Sequence, residues 1–253
     1  MMYSEIHVWG DSLARGVIYN EARERYAISG ERCVTRLQQA LGCKVENHSN
    51  MGATVLDGIM LFERFQPVAG ALCAVEFGGN DCDLNWKEVA AHPEQTIKAR
   101  VDLSAFEDGL VTFVKMIRNR DMKPLLVTPL PLHAERYFQW VTRGLDADAV
   151  LKALGDVNHI YRWQERYAIA VRNVARETRC PFLDLRDVIL AQPDYEQLMC
   201  VDGIHPNDRG HRVLAEAVLE RVRTGHEALL SLADQEANDA LLTAIPSVMV
   251  SNG

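Results

Sequence analysis

Short apolar runs alternate along the chain with longer stretches in which apolar residues recur every three or four positions. That alternation predicts the strands of a parallel sheet joined by helices that pack on its faces. Five runs read as strands: residues 6–9, 44–47, 71–77, 124–128 and 182–185. The third, ALCAVEF, is the most continuous and predicts a central strand buried on both faces. The second is more polar, as suits an edge. Cys33, Leu37 and Leu41 recur at helical spacing, and Phe106, Leu110, Phe113, Val114 and Ile117 line one face of a second helix. A long helix is predicted over residues 161–177, and Val213, Ala217 and Val218 mark a last core helix.

Two segments break this rhythm. Residues 129–159 are long for a connection between a strand and a helix, which predicts a lid-like insertion with short helices of its own. Residues 226–253 form a predicted C-terminal helical tail, with Leu229, Leu230, Leu232, Leu241 and Leu242 available to dock on the domain or on a second subunit. A homodimer is therefore an open expectation. The remainder, residues 1–225, reads as one domain, in keeping with a length of 253 residues.

Composition narrows the class. Hydrophobic residues make up 48% and charged residues 25%, the balance of a globular protein rather than a disordered one. A formal net charge of −8, without blocks of like charge, argues against nucleic acid and against an anionic membrane surface. No apolar run has membrane-spanning length, and the first residues read as a strand rather than a signal peptide. The six cysteines are scattered with no C-x-x-C pair, so reduced thiols and a cytoplasmic location are expected.

Candidate chemistry lies at the ends of the strands. Gly10-Asp11-Ser12-Leu13 places a serine just past the first strand, where open α/β sheets bind ligands. Read alone, it is a turn with Asp11 or Ser12 capping a helix. Asp202-Gly203-Ile204-His205-Pro206-Asn207 puts an acid and a histidine three residues apart, so that Asp202 can take the Nδ1 proton and leave Nε2 as a base. A plain surface turn, with Asn207 capping the next helix, would explain the glycine, proline and asparagine but not the histidine. Asn50-Met51-Gly52 and Gly78-Gly79-Asn80-Asp81 follow the second and third strands, and can supply hydrogen-bond donors to a developing oxyanion.

These four blocks, in this order, resemble the SGNH hydrolases, also called GDSL esterases and lipases. The similarity spans positions 10–205. It implies a flavodoxin-like three-layer α/β/α sandwich around a five-stranded parallel sheet. It also implies that Ser12 is the nucleophile, His205 its general base and Asp202 the acid that orients His205. The oxyanion hole would comprise the Ser12 and Gly52 N–H groups and the Asn80 side chain. The expected reaction is hydrolysis of an acyl ester through an acyl-enzyme, with no cofactor and no metal.

The substrate is less sharply indicated. Asp83 and Trp86 after the third strand, and His133 and Tyr137 in the insertion, mix aromatic and polar groups in a way that suits a sugar better than a long acyl chain. Equally, these aromatics would serve to pack the insertion. Deacetylation of a carbohydrate is the leading expectation. A thioesterase or lysophospholipase of the same family, and a binding protein without turnover, are the alternatives. His7 and His211 are poorly placed as bases, whereas His48 and His133 stay open for a site role.

Overall fold

β1 (Glu5–Gly10) organises the sheet. It pairs in parallel with β4 (Lys44–Asn47) on one side and β5 (Leu72–Glu76) on the other. β6 (Lys123–Val127) and β7 (Phe182–Leu183) extend the sheet beyond β5, giving the order β4-β1-β5-β6-β7 with every pairing parallel. All five predicted strands are present in this computed structural model, which describes residue 3 and residues 5–223. The predicted tail at 226–253 lies outside the described residues.

Alternation along each strand sorts side chains to two faces. Trp9, Cys73, Val75 and Leu126 meet Phe62 of α3 (Val55–Glu63), Phe113 of α5 (Leu103–Arg118) and Val171 of α8 (His159–Thr178). Leu72, Leu125, Val127 and Leu183 pack on the opposite face with Val218 of α10 (Asp208–Arg223). α2 (Cys33–Leu41) and α9 (Leu185–Leu190) lie against α10 on that side. The result is the expected three-layer sandwich. The last strand is shorter than the sequence predicts, because the Asp184 side chain accepts from Asp187 N and starts α9 at once.

Residues 129–159 carry two helices, α6 (Ala134–Val141) and α7 (Ala147–Leu154). Together with α4 (Trp86–Ala91) they enclose a smaller core of Leu84, Val89, Tyr137, Val150, Leu154 and Ile160. This core forms one wall beside the carboxyl ends of β1 and β5.

One element was not legible beforehand. β2 (Val17–Asn20) and β3 (Arg25–Ile28) form an antiparallel hairpin that pairs Tyr19 with Tyr26. Its connection is a short helical turn over Glu21–Arg23 capped by the Asn20 side chain, with Glu24 at φ 46°. The segment lacks a glycine-centred hairpin signal, and its Glu-Ala-Arg composition favours a helix.

Candidate functional site

Strand order reverses between β1 and β5, and ligands of open α/β sheets bind in the crevice at such a reversal. Ser12 follows β1 and Asn80 follows β5, so both stand at this crevice. Ser12 opens the short helix α1 (Ser12–Arg15), which Asp11 caps by accepting from Leu13 N. Gly10 lets the turn sit close to the sheet, for a Cβ there would fall 2.6 Å from the Glu76 carbonyl oxygen.

The second half of the site comes from the loop before α10. Cys200 N donates to His205 O at 2.8 Å and Asn207 N to Leu198 O at 2.8 Å, which closes residues 200–205 into a tight loop. Asn207 also accepts from Gly210 N at 3.1 Å, the helix cap expected of it. Inside the loop, Asp202 Oδ1 accepts from the N–H groups of Ile204 and His205, each at 3.1 Å. Its Oδ2 accepts from His205 Nδ1 at 2.6 Å. The other ring nitrogen, Nε2, lies 2.9 Å from Ser12 Oγ.

Electrostatics fix the direction of these bonds. Burial alone would raise the Asp202 pKa, but the hydrogen bonds and charge of His205 and the backbone N–H groups outweigh it and hold the carboxyl below the ordinary aspartate value. Ionised Asp202 is an acceptor only, so His205 donates from Nδ1 and presents a bare Nε2 to the serine hydroxyl. The chain of three groups can therefore draw a proton from Ser12 Oγ.

Asn80 is beside this chain, yet one of its amide N–H groups is engaged: Nδ2 donates to Asp11 Oδ2 at 2.9 Å. Burial raises the Asp11 pKa, and burial followed by the charge of Asp11 raises that of Glu76 further. Gly52 adopts φ +77° in the turn after β4, and its N–H has no protein acceptor among the described residues. It does not line the cavity at Ser12, whereas Asn80 and Gly79 do.

That cavity is walled by Asp83, Trp86, Tyr137, His159, Trp163 and Ile204 around Ser12 and His205. Asp83 Oδ1 accepts from Trp86 Nε1 at 2.9 Å and from the Tyr137 hydroxyl at 2.7 Å, tying the insertion to the loop after β5. Three of the four residues expected to meet substrate thus stand together. His133 is a correction. Its ring caps α6 by accepting from Arg136 N, and it faces Glu196 and Tyr195 outside the cavity. The backbone is anchored at the same point, His133 N donating to Gly203 O at 2.7 Å.

Sequence reasoning missed Tyr26. Its ring stands edge-on to His205 with centroids 5.2 Å apart, and Trp140 of α6 packs against the same hairpin through Tyr19. Burial first, and then the charge of Asp202, raise the Tyr26 pKa above the tyrosine range, so it stays a neutral phenol behind the histidine. Only an interrupted apolar pattern marked this segment. His159 and Trp163 also enter the cavity, both from α8, although the sequence places His159 at the end of the insertion and Trp163 in the long helix that follows it.

Residues 8–213 match the model of the GDSL-like Lipase/Acylhydrolase family. No curated protein matches the chain in sequence. Among solved structures, the chain is similar to a lipase/acylhydrolase from Enterococcus faecalis, with 17% identity and a TM-score of 0.60 over 87% of this chain and 95% of that one. It is similar also to an α/β hydrolase enzyme from the metagenome of Lake Arreo, Spain, with 23% identity and a TM-score of 0.58 over 86% and 94%. An acetylxylan esterase from Geobacillus stearothermophilus shares 22% identity at a TM-score of 0.58 over 87% and 94%. At these identities the likeness speaks for the fold. Among the described residues, no helix is long and apolar enough to cross a membrane.

Proposed function

The chain belongs to the GDSL-like Lipase/Acylhydrolase family, and on that premise we propose that it is a serine esterase removing short acyl groups, acetyl foremost, from carbohydrate esters. The observation that carries this reading is the unbroken hydrogen-bond chain from Asp202 through His205 to Ser12 at the floor of a cavity.

In the proposed reaction His205 Nε2 takes the Ser12 proton as Oγ attacks the acyl carbon. Asp202 holds the tautomer and offsets the charge that forms on the ring. The Ser12 N–H group and the free amide hydrogen of Asn80 receive the oxyanion within the cavity, and the Gly52 N–H, outside the cavity lining but without an acceptor among the described residues, is the third candidate donor. His205 then passes its proton to the leaving alcohol, and water clears the acyl-enzyme through the same base.

Trp86 and Trp163 line the cavity together with Asp83 and Tyr137, a mix of aromatic and polar groups that supports a ring-shaped polyol rather than an extended acyl chain. The acetylxylan esterase among the structural neighbours makes acetylated xylosides the first natural esters to try. A thioesterase or lysophospholipase is the second reading, favoured by the apolar walls at Leu84, Leu132, Leu154 and Ile160.

The test compares p-nitrophenyl acetate, butyrate and octanoate hydrolysis by the wild type and Ser12→Ala, followed by release of acetate from acetylated xylosides. Preference for acetate, lost in the variant, is expected. Preference for octanoate would move the reading to the longer-chain enzymes. A folded wild type no faster than Ser12→Ala on any ester would remove the catalytic reading and leave a binding protein.

A further inference from the structure

A second cluster of chemistry-bearing side chains lies at the opposite margin of the sheet from the insertion. The parallel register sets His7 of β1 beside Glu46 of β4, and His48 follows Glu46 by two residues on the same face. His7 Nδ1 lies 3.0 Å from His48 Nε2 and 3.6 Å from Glu46 Oε2, and His48 Nε2 lies 3.8 Å from the same carboxylate oxygen. We infer that His7 Nδ1, His48 Nε2 and Glu46 Oε2 form a binding site for a divalent transition-metal ion, with zinc the best fit.

Hydrogen bonding does not account for the arrangement. A single proton between the two imidazoles satisfies one contact, while the carboxylate oxygen is beyond hydrogen-bond reach of both nitrogens. An ion satisfies all three. The circle through the three atoms has a radius of about 2.0 Å, the length of a zinc bond to histidine or carboxylate. Two histidines and one carboxylate are a borderline donor set that zinc accepts and that magnesium and calcium do not prefer.

The surroundings prepare these atoms for a cation. Glu5 Oε1 lies 3.5 Å from His7 Nε2, the ring nitrogen opposite the one that faces Glu46 and His48, and so adds negative charge beside the cluster. Lys44 pairs with Glu5 at 2.7 Å and with Glu46 through Oε1, which leaves Oε2 directed at the histidines. Trp9 stacks on His48 at 4.3 Å and Phe65 stands edge-on to both rings, fixing their planes. His7 is fully buried while Glu46 and His48 are partly exposed, so an ion and a water ligand have access from outside.

Roughly 10 Å of strand separates His7 from the Gly10 turn, so the ion would not touch Ser12. It would instead tie together the two strands that lead to Ser12 and to Gly52. The role is a staple, independent of whether the protein is an esterase.

The experiment titrates chelator-treated full-length protein with Zn²⁺ and with Co²⁺, following bound metal, thermal midpoint and the visible cobalt spectrum. The expected result is one ion per chain, a raised thermal midpoint, and a low-symmetry cobalt spectrum with nitrogen ligands. His48→Ala and Glu46→Gln should each weaken binding ~100-fold or more. Metal-free variants that melt with the metal-free wild type show that the substitutions act on the site and not on folding. Binding below one ion per chain, or binding unchanged in both His48→Ala and Glu46→Gln, would overturn the inference.

Discussion

Asn80 Nδ2 donates to Asp11 Oδ2 at 2.9 Å, which ties the loop after β5 to the residue immediately before Ser12. One bond thereby sets the distance between the serine and the side chain proposed to receive its oxyanion. Asn80→Ala removes both the donor and the tie. Turnover of an activated ester is expected to fall ~10²–10³-fold, with substrate affinity changed less. A fall in affinity alone, at unchanged turnover, would place Asn80 in ground-state binding instead.

Asp202 acts on Ser12 only through His205. Asp202→Asn would favour the tautomer with a proton on Nε2, and turnover is expected to drop ~10⁴-fold with the fold intact. Because the three groups work as a unit, Ser12→Ala combined with His205→Ala should be hardly worse than either alone. Steady-state kinetics of the single and double variants decide it. Additive losses would mean that the two residues act separately.

Gly203 is where the loop bearing Asp202 and His205 meets the start of α6. A Cβ there would lie 2.7 Å from Tyr137 N and 2.8 Å from His133 O, at φ +75°. Gly203→Ala is expected to destabilise the protein by about 2–4 kcal/mol, combining left-handed strain with a backbone clash. Gly144→Ala, also at positive φ but with open space around it, should cost only about 1 kcal/mol. Urea unfolding of the two variants measures the difference. Equal costs would show that the contact with α6 yields freely.

Asp81 supports the site from beneath, accepting from Val55 N at 2.9 Å and Gly78 N at 3.0 Å. Burial pushes its pKa up to about 7 despite those bonds. The unfolded value is about 4. The folded chain therefore holds a proton that the unfolded chain releases between these values, and this group's stabilisation declines as pH rises from about 4 to 7. Burial raises Asp11 and Glu76 in the same direction. Asp81→Asn should flatten that decline in the urea midpoint measured across the window. Wild-type and variant curves that stay parallel would exclude Asp81 as its source.

Much of this protein is present in its one-dimensional pattern. The inner strands follow from short apolar runs, because a strand buried on both faces has few polar positions to spare, whereas the exposed edge strand β4 is marked more weakly. The order of Ser12, Gly52, Asn80, Asp202 and His205 is likewise written in local turns, and local turns depend on local residues. Distance is what the pattern lacks. That His205 Nε2 stands 2.9 Å from Ser12 Oγ, across 193 residues of chain, follows only from how β1 and the loop before α10 are packed. The same limit hid Tyr26, whose hairpin lacks a glycine-centred turn signal and is held in place by Trp140 and the histidine loop. It also misplaced His133, whose ring is taken up by capping α6 through Arg136 N. His7, Glu46 and His48 are unremarkable in sequence. Strand register brings His7 within reach of Glu46 and His48, because register is a property of two strands side by side and not of either one.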